Sequence, residues 1–422
     1  MRGATLFRNA SLLTAGFLVL TLRAALPAAA QSGGLWQTRA PLEIGRQESG
    51  AALLDGLVYV VGGLVVEPAG GATDTVEVYD PALDDWSFVT PLPQVRHHPA
   101  AAAADGRLFV LGGYGNDFSA KDSTFAYDPA TGDWSELAPL PGPRGAAWAV
   151  EYQGEVYLFG GVGPTGQSEA STFIYDPVGD SWRQGADMPT PREHLTAAVV
   201  GDLIYVIGGR VPPATTANER YSPATDSWQV LAPMPTARTA MATAAIGDRI
   251  VVVGGEAGPF LFAETEIYDT ATDSWSRQTD VPLARHGAPG VALGGEILVP
   301  GGGILSGELG PTDELATFLP GPTLTVGGVC PGTVELRLSA ATPSADLVVA
   351  VGPAPGALTV PGGPCAGTPL GLDSVVGLLP ATADAEGALT VEVDLPAAAC
   401  ATAGVQVVDL SSCLASNVAE VE

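Results

Sequence analysis

Lysine is almost missing from this chain: Lys121 is the only one in 422 residues, and the formal net charge is −28. A surface this acidic repels phosphate backbones and anionic lipid, so no nucleic-acid partner is expected. The acidity reads as solubility outside the cell or adaptation to salt. Histidine occurs four times, as His97, His98, His194 and His286, and cysteine is absent before Cys330. No His-x-His or His-x-x-x-His pair, no signature nucleophile motif and no phosphate-binding loop is present. Gly and Pro are abundant but follow no three-residue period, which excludes collagen. Their placement breaks every candidate helix. With 46% hydrophobic residues the chain is too apolar for disorder. Many short strands joined by turns, in two or three domains, are what remains.

Long apolar runs are scarce as well. Leu12–Leu22 is apolar but shorter than the roughly 20 residues that span a bilayer. Arg2 and Arg8 precede it and Ala28-Ala29-Ala30 follows. This predicts a signal peptide over 1–30, cleaved before Gln31. The mature chain is then secreted, periplasmic or at the cell surface, with no membrane span. In such a compartment Cys330, Cys365, Cys400 and Cys413 read as two disulfides. Three pairings are open, and Cys330–Cys365 with Cys400–Cys413 is preferred because short loops close most easily.

What is present in quantity is a repeat. Six units lie between Trp36 and Phe318. Each has an arginine after a Pro-rich turn, an Ala/Val-rich run, a tight turn and a strand ending in Gly-Gly. A variable loop then leads to a strand near Tyr-Asp-Pro and to a Trp. The arginines are Arg46, Arg96, Arg144, Arg192, Arg238 and Arg285. The Gly pairs begin at Gly62, Gly112, Gly160, Gly208, Gly254 and Gly301. The tryptophans are Trp36, Trp86, Trp134, Trp182, Trp228 and Trp275, spaced by 46 to 50 residues. Tyr79, Tyr127, Tyr175, Tyr221 and Tyr268 each precede a Trp by seven.

On these motifs the chain resembles the kelch-repeat β-propellers over most of its mature length. The resemblance implies an all-β fold: a six-bladed propeller over 31–320, four strands a to d per blade. Ala-rich a strands suit the crowded axis, and Tyr and Trp fill the wider outer space. The first Trp strand precedes any a strand and the last unit lacks one. The N-terminal strand is therefore expected to complete the last blade and close the ring. All these repeat residues, the six arginines included, read as structural.

Antiparallel geometry puts the short a–b and c–d turns on one face and the d–a and b–c connections on the other. The b–c loops vary in length: Gly63 to Tyr79 is 16 residues and Gly209 to Tyr221 is 12. Binding is expected on that face. Its candidate residues follow a repeat arginine or a Gly-Gly pair: His194, Arg210, Glu256, His286, Glu193, His98 and Tyr114. Glu48 has a place similar to that of Glu193. Arg210, inside an acidic protein, suits a carboxylate or another acceptor. Arg192-Glu193-His194-Leu195, with Arg210 beyond it, resembles an element of bacterial kelch proteins.

No metal and no cofactor are expected. Alternate blades are read as diverging from the axis, and adjacent His97 and His98 as pointing to opposite sides of a strand. The resemblance implies a binding module for a protein or carbohydrate ligand. An enzyme on the same fold is the alternative. The Tyr–Cys crosslink of galactose oxidases cannot form in a propeller without cysteine. A sialic-acid mutarotase-like epimerase would need acid–base groups in the mouth, such as Glu256 and His194, with Arg210 as carboxylate clamp.

From Pro320 onward there is no aromatic residue and no histidine, and Arg337 is the only basic one. Segments 333–338, 346–351 and 389–394 read as strands between Gly/Pro-rich turns. A small disulfide-stapled, β-sandwich-like domain over 321–422 is expected.

Overall fold

The computed structural model describes residues 34–66 and 70–321, and the C-terminal strands given at the end of this subsection. The expected signal peptide and the four cysteines lie outside the described residues.

Six four-stranded antiparallel sheets form the propeller. Blade two shows the plan: Ala100–Ala104, Arg107–Leu111, Thr124–Asp128 and Asp133–Leu137, from the axis outward. Asp105 and Gly106 join the first two strands with φ of 49° and 67°. Two positive φ angles in a two-residue turn match the twist of the flanking strands. In blade six the strands Val291–Leu293, Glu296–Pro300 and Leu315–Leu319 are completed by Leu35–Arg39 from the N-terminal end. Trp36 lies opposite Phe318, so the expected closure is the observed one.

The buried hydrophobic side chains of the propeller lie in six clusters, one in each seam between blades. Phe109 of blade two, for example, packs with Val156 and Leu158 of blade three. Each sheet is therefore apolar on both faces, unlike a half-exposed sheet with strict alternation.

Polar groups link the seams at two radii. Every repeat Trp donates its indole N–H to a carbonyl of the preceding seam, from Trp86 to Ala40 O (2.8 Å) round to Trp36 and Thr279 O (2.8 Å). Nearer the axis, the second glycine of each pair donates its N–H to the carbonyl of the next blade's arginine. The series runs from Gly63 to Arg96 O and closes with Gly302 to Arg46 O. A Cβ at Gly112 would lie 2.3 Å from Arg144 O, so the approach requires glycine.

The repeat arginines are structural, as expected. Arg46, Arg192, Arg238 and Arg285 are buried and pair with Glu77, Glu219, Glu266 and Glu314. In blades two and three an aromatic ring takes the place of that glutamate. The Arg96 guanidinium lies 5.7 Å from the Phe125 centroid and that of Arg144 lies 4.7 Å from Phe173.

Beyond the propeller, Thr323–Gly328, Gly332–Ser339 and Leu389–Leu395 form one antiparallel sheet. Gly377–Thr382, Asp346–Pro353, Ala403–Asp409 and Ala419–Glu420 form another, and Leu358–Thr359 pairs with Pro369–Leu370. Among the described residues no helix is long and apolar enough to cross a membrane.

Candidate functional site

The site grows from the two residues after each arginine. The first pairs with the residue after Gly-Gly: Gln47 with Leu64, His97 with Tyr114, Gly145 with Val162, Glu193 with Arg210, Thr239 with Glu256, and His286 with Gly303. The second residue is Glu48, His98, Ala146, His194, Ala240 or Gly287, and in each the backbone turns left-handed, with φ from 49° to 60°. That turn brings six N–H groups to the axis. Each donates to the carbonyl of the same position in the preceding blade: Glu48 to Gly287 (2.6 Å), His98 to Glu48 (2.7 Å), Ala146 to His98 (3.2 Å), His194 to Ala146 (2.9 Å), Ala240 to His194 (2.9 Å) and Gly287 to Ala240 (2.8 Å). A closed hydrogen-bonded ring thus surrounds the axis on the d–a/b–c face.

Three ring positions carry Glu48, His98 and His194, and three carry small residues that leave them room. A Cβ on Gly287 would lie 2.4 Å from Glu48 Oε1. Glu48 Oε2 lies 3.2 Å from His98 Nε2, and Glu48 Oε1 lies 3.6 Å from His286 Nε2. His286 Nε2 is also 3.9 Å from Glu256 Oε2. The rings of His98 and His194 are 4.8 Å apart. His194 Nδ1 meets Glu193 Oε2, and Glu193 Oε1 accepts from Arg210 Nε. Tyr114 closes the cluster, its ring 5.3 Å from His97 and 5.5 Å from His98.

Seven side chains named from sequence are therefore in one polar mouth, through two arms. Arg210, Glu193, His194 and His98 form one, and Glu256 and His286 form the other. Glu48, on the ring between His98 and His286, joins them. Sequence reasoning placed Glu48 beside the site without assigning it a contact. Its signal was its position two after the arginine, which it shares with His98 and His194.

Two geometric expectations are corrected. Alternate blades do not diverge at this level, because the ring draws blades one, two and four to within side-chain reach. His97 and His98 do not point apart: their Nδ1 atoms are 2.6 Å from each other. The cause is the φ of 53° at His98, which ends strand alternation there. Arg210 is also not a bare clamp. Its Nε is engaged by Glu193, while 40% of its side chain is exposed. Glu256 is likewise held, by Ser306 Oγ (2.9 Å) and the Gly307 N–H (3.0 Å).

Burial dominates the proton affinities. It pushes the Glu48 carboxyl up to about 8, with the Glu256 charge adding to the rise and Arg210 opposing it. It pulls His97 down to about 4 and His194 to about 3, and holds His98 well below the usual imidazole range. His286 is lowered too, against the pull of Glu256, and the Tyr114 phenol is raised to about 12. At neutral pH the mouth holds neutral imidazoles and a protonated Glu48.

Below the ring lies a small cavity of about 40 Å³, lined by Glu48, Ser49, His98, His194 and Trp148 among others. Trp148 also lines a wider space of about 310 Å³ further along the axis, bounded mostly by alanine and valine. The first space holds one or two water-sized groups and is too small for a sugar ring.

The family model described as the KLHDC2/KLHL20/DRC7 Kelch-repeats domain matches residues 48–233 and 149–318. The chain belongs to the kelch-repeat family. It is 40% identical over 81 residues to an F-box/kelch-repeat protein of Arabidopsis thaliana, covering 19% of this chain and 21% of that protein. It is 38% identical over 87 residues to Kelch-like protein 26 of Mus musculus, covering 21% of this chain and 14% of that protein. The matches thus span about a fifth or less of these relatives' own length. The solved structure of YjhT superposes with a TM-score of 0.58 at 16% identity, covering 65% of this chain and 95% of that one. At that identity the likeness is one of fold.

Proposed function

We propose that this propeller is a binding module whose d–a/b–c face docks a protein partner. The observation that carries the reading is an apolar rim around the polar mouth. Val66, Phe118, Val211, Phe260, Ile304, Leu305 and Leu309 are exposed, and all lie on b–c loops, from five of the six blades. Phe118 is 68% exposed and Phe260 66%. Phe118 is set outward on a backbone with φ of 54° and rests edge-on against His97 at 4.6 Å. Aromatic anchors beside buried polar groups are the composition of an interaction surface. Membership of the kelch family supports the same reading.

A carbohydrate could engage only the outer mouth, where Arg210 is part-exposed, because the cavity beneath the ring is too small. The carbohydrate and epimerase readings are therefore secondary to protein docking. Export is part of the proposal, supported by Arg2, Arg8, the apolar run and Ala28–Ala30.

The test is site-specific photocrosslinking on the full chain. A crosslinking side chain at 118 or 260 should capture the same protein. At 83 or 178, on the c–d turns of the opposite face, it should not. Capture of that protein equally from both faces, or only from 83 and 178, would overturn the reading.

A further inference from the structure

We infer that Glu48, His98 and His194 form a binding site for a divalent transition-metal ion of the zinc class, with a water as further ligand. One donor atom from each of the three lies within 4.8 Å of the other two. Glu48 Oε2 and His98 Nε2 are 3.2 Å apart. Two ligands on one tetrahedral zinc, with bonds near 2.0–2.1 Å, are separated by about 3.3 Å. The set as it stands spans up to 4.8 Å, so His194 closes in when the ion binds.

The hydrogen bonds present the correct nitrogens. The Gly115 carbonyl can only accept, so His97 Nε2, at 3.2 Å from it, carries the proton. Neutral His97 then has a bare Nδ1, which accepts from Nδ1–H of His98. That leaves the His98 Nε2 lone pair aimed at Glu48. His194 gives its Nδ1–H to the Glu193 carboxylate, which likewise leaves Nε2 bare. A carboxylate or carbonyl behind each imidazole is the usual support of a metal-bound histidine. His286 donates Nδ1–H to Gly303 O (3.1 Å), so a third bare Nε2 faces the other oxygen of Glu48.

Two independent observations point to an occupant. The cavity of about 40 Å³ adjoins all three residues and accommodates a metal-bound water. Ser49 Oγ, on its wall, is buried without a hydrogen-bond partner among the described residues. A bound water supplies that partner. Charge agrees: before Glu48 is counted, the carboxyls of Glu193 and Glu256 already outnumber the one guanidinium of the cluster, that of Arg210. Imidazole donors favour zinc, cobalt, nickel or copper over magnesium and calcium.

The inference is independent of the docking proposal, and either can fail alone. The experiment loads chelator-treated full-length protein with Zn²⁺ by calorimetry and with Co²⁺ by visible absorption. One equivalent should bind, with Co²⁺ bands of low coordination number and no thiolate charge-transfer band. Glu48→Gln, nearly isosteric, should weaken Zn²⁺ on the order of 100-fold or more, and Glu193→Gln by about 10–100-fold, as supporting groups do. Melting curves identify variants that fold, and His194→Ala serves if Glu48→Gln does not. No stoichiometric binding by the unaltered protein would overturn the inference. So would a thiolate band, which places the ion on the cysteines, or unchanged affinity in the folded variants.

Discussion

Glu48 and His98 meet twice: the His98 N–H donates to the Glu48 carbonyl at 2.7 Å, and the two side chains approach to 3.2 Å. The first contact is one link of the six-membered backbone ring. The second is the core of the polar mouth. Scaffold and site are therefore coupled through the same pair, and disturbing the ring must disturb the site.

Gly287→Ala tests that coupling. The new Cβ would lie 2.4 Å from Glu48 Oε1 on a backbone with φ of 60°. Gly294 has the same φ with nothing within 4 Å, so Gly294→Ala isolates the backbone cost, about 1–2 kcal/mol. Gly287→Ala should cost at least about 1 kcal/mol more in denaturant unfolding and should displace the Glu48 carboxyl. Equal losses would show that the ring tolerates the displacement.

The repeat arginines should not be equivalent. Arg192→Ala leaves buried Glu219 unpaired and should cost about 3–5 kcal/mol. Arg144 rests on Phe173 and donates to Ser171 Oγ at 2.8 Å, so Arg144→Ala should cost less, about 1–3 kcal/mol. Chemical denaturation of both variants checks the order. The reverse order would contradict the roles assigned to the four glutamates.

Closure by the N-terminal strand predicts a cooperative effect. Removing Gly34–Pro41 strips the outer strand of blade six and the Trp36 Nε1 bond to Thr279 O (2.8 Å). An open strand edge then invites association. The truncated protein should melt lower and sediment as aggregates, and Trp36→Ala alone should cost about 3 kcal/mol. A truncated protein that melts like the parent would remove the strand from the closure.

Acid should weaken the outer seams. Asp180 is held below its ordinary 3.8, first by the Tyr175 hydroxyl (2.6 Å) and then by the Ala138 N–H (2.8 Å). Asp226 and Asp273 are lowered in the same way by Tyr221 and Tyr268, and Asp84 first by the Ala40 N–H and then by Tyr79. A carboxyl lowered in the folded state stabilises it fully above the ordinary value. The gain is lost as pH falls through the folded one. Unfolding free energy should thus be flat from these groups above about pH 5 and drop below about pH 4. Tyr175→Phe should make the drop shallower. An unchanged acid slope in that variant would remove the hydroxyl as its source.

The blades, their number, their closure and the face that gathers the polar residues were legible in the chain because each rests on local rules. Gly-Gly needs positive φ, Tyr precedes Trp by a fixed interval, and connection length alternates between the two faces. The glutamates that neutralise the arginines were not legible. They stand about 30 residues away from their partners, three on c strands and Glu314 just before one, and in two blades a phenylalanine replaces them.

The sequence by itself determined which residues gather on the d–a/b–c face: strand order and alternation carry His194, Arg210, Glu256 and His286 to one end of the axis. Only the tertiary structure decided how they meet. The left-handed turn at Glu48, His98 and His194 is imposed by neighbours, since each N–H must find the carbonyl of another blade. That turn cancels the alternation expected for His97 and His98. It also makes Glu48 the joint of the cluster, which no spacing within a single repeat could reveal.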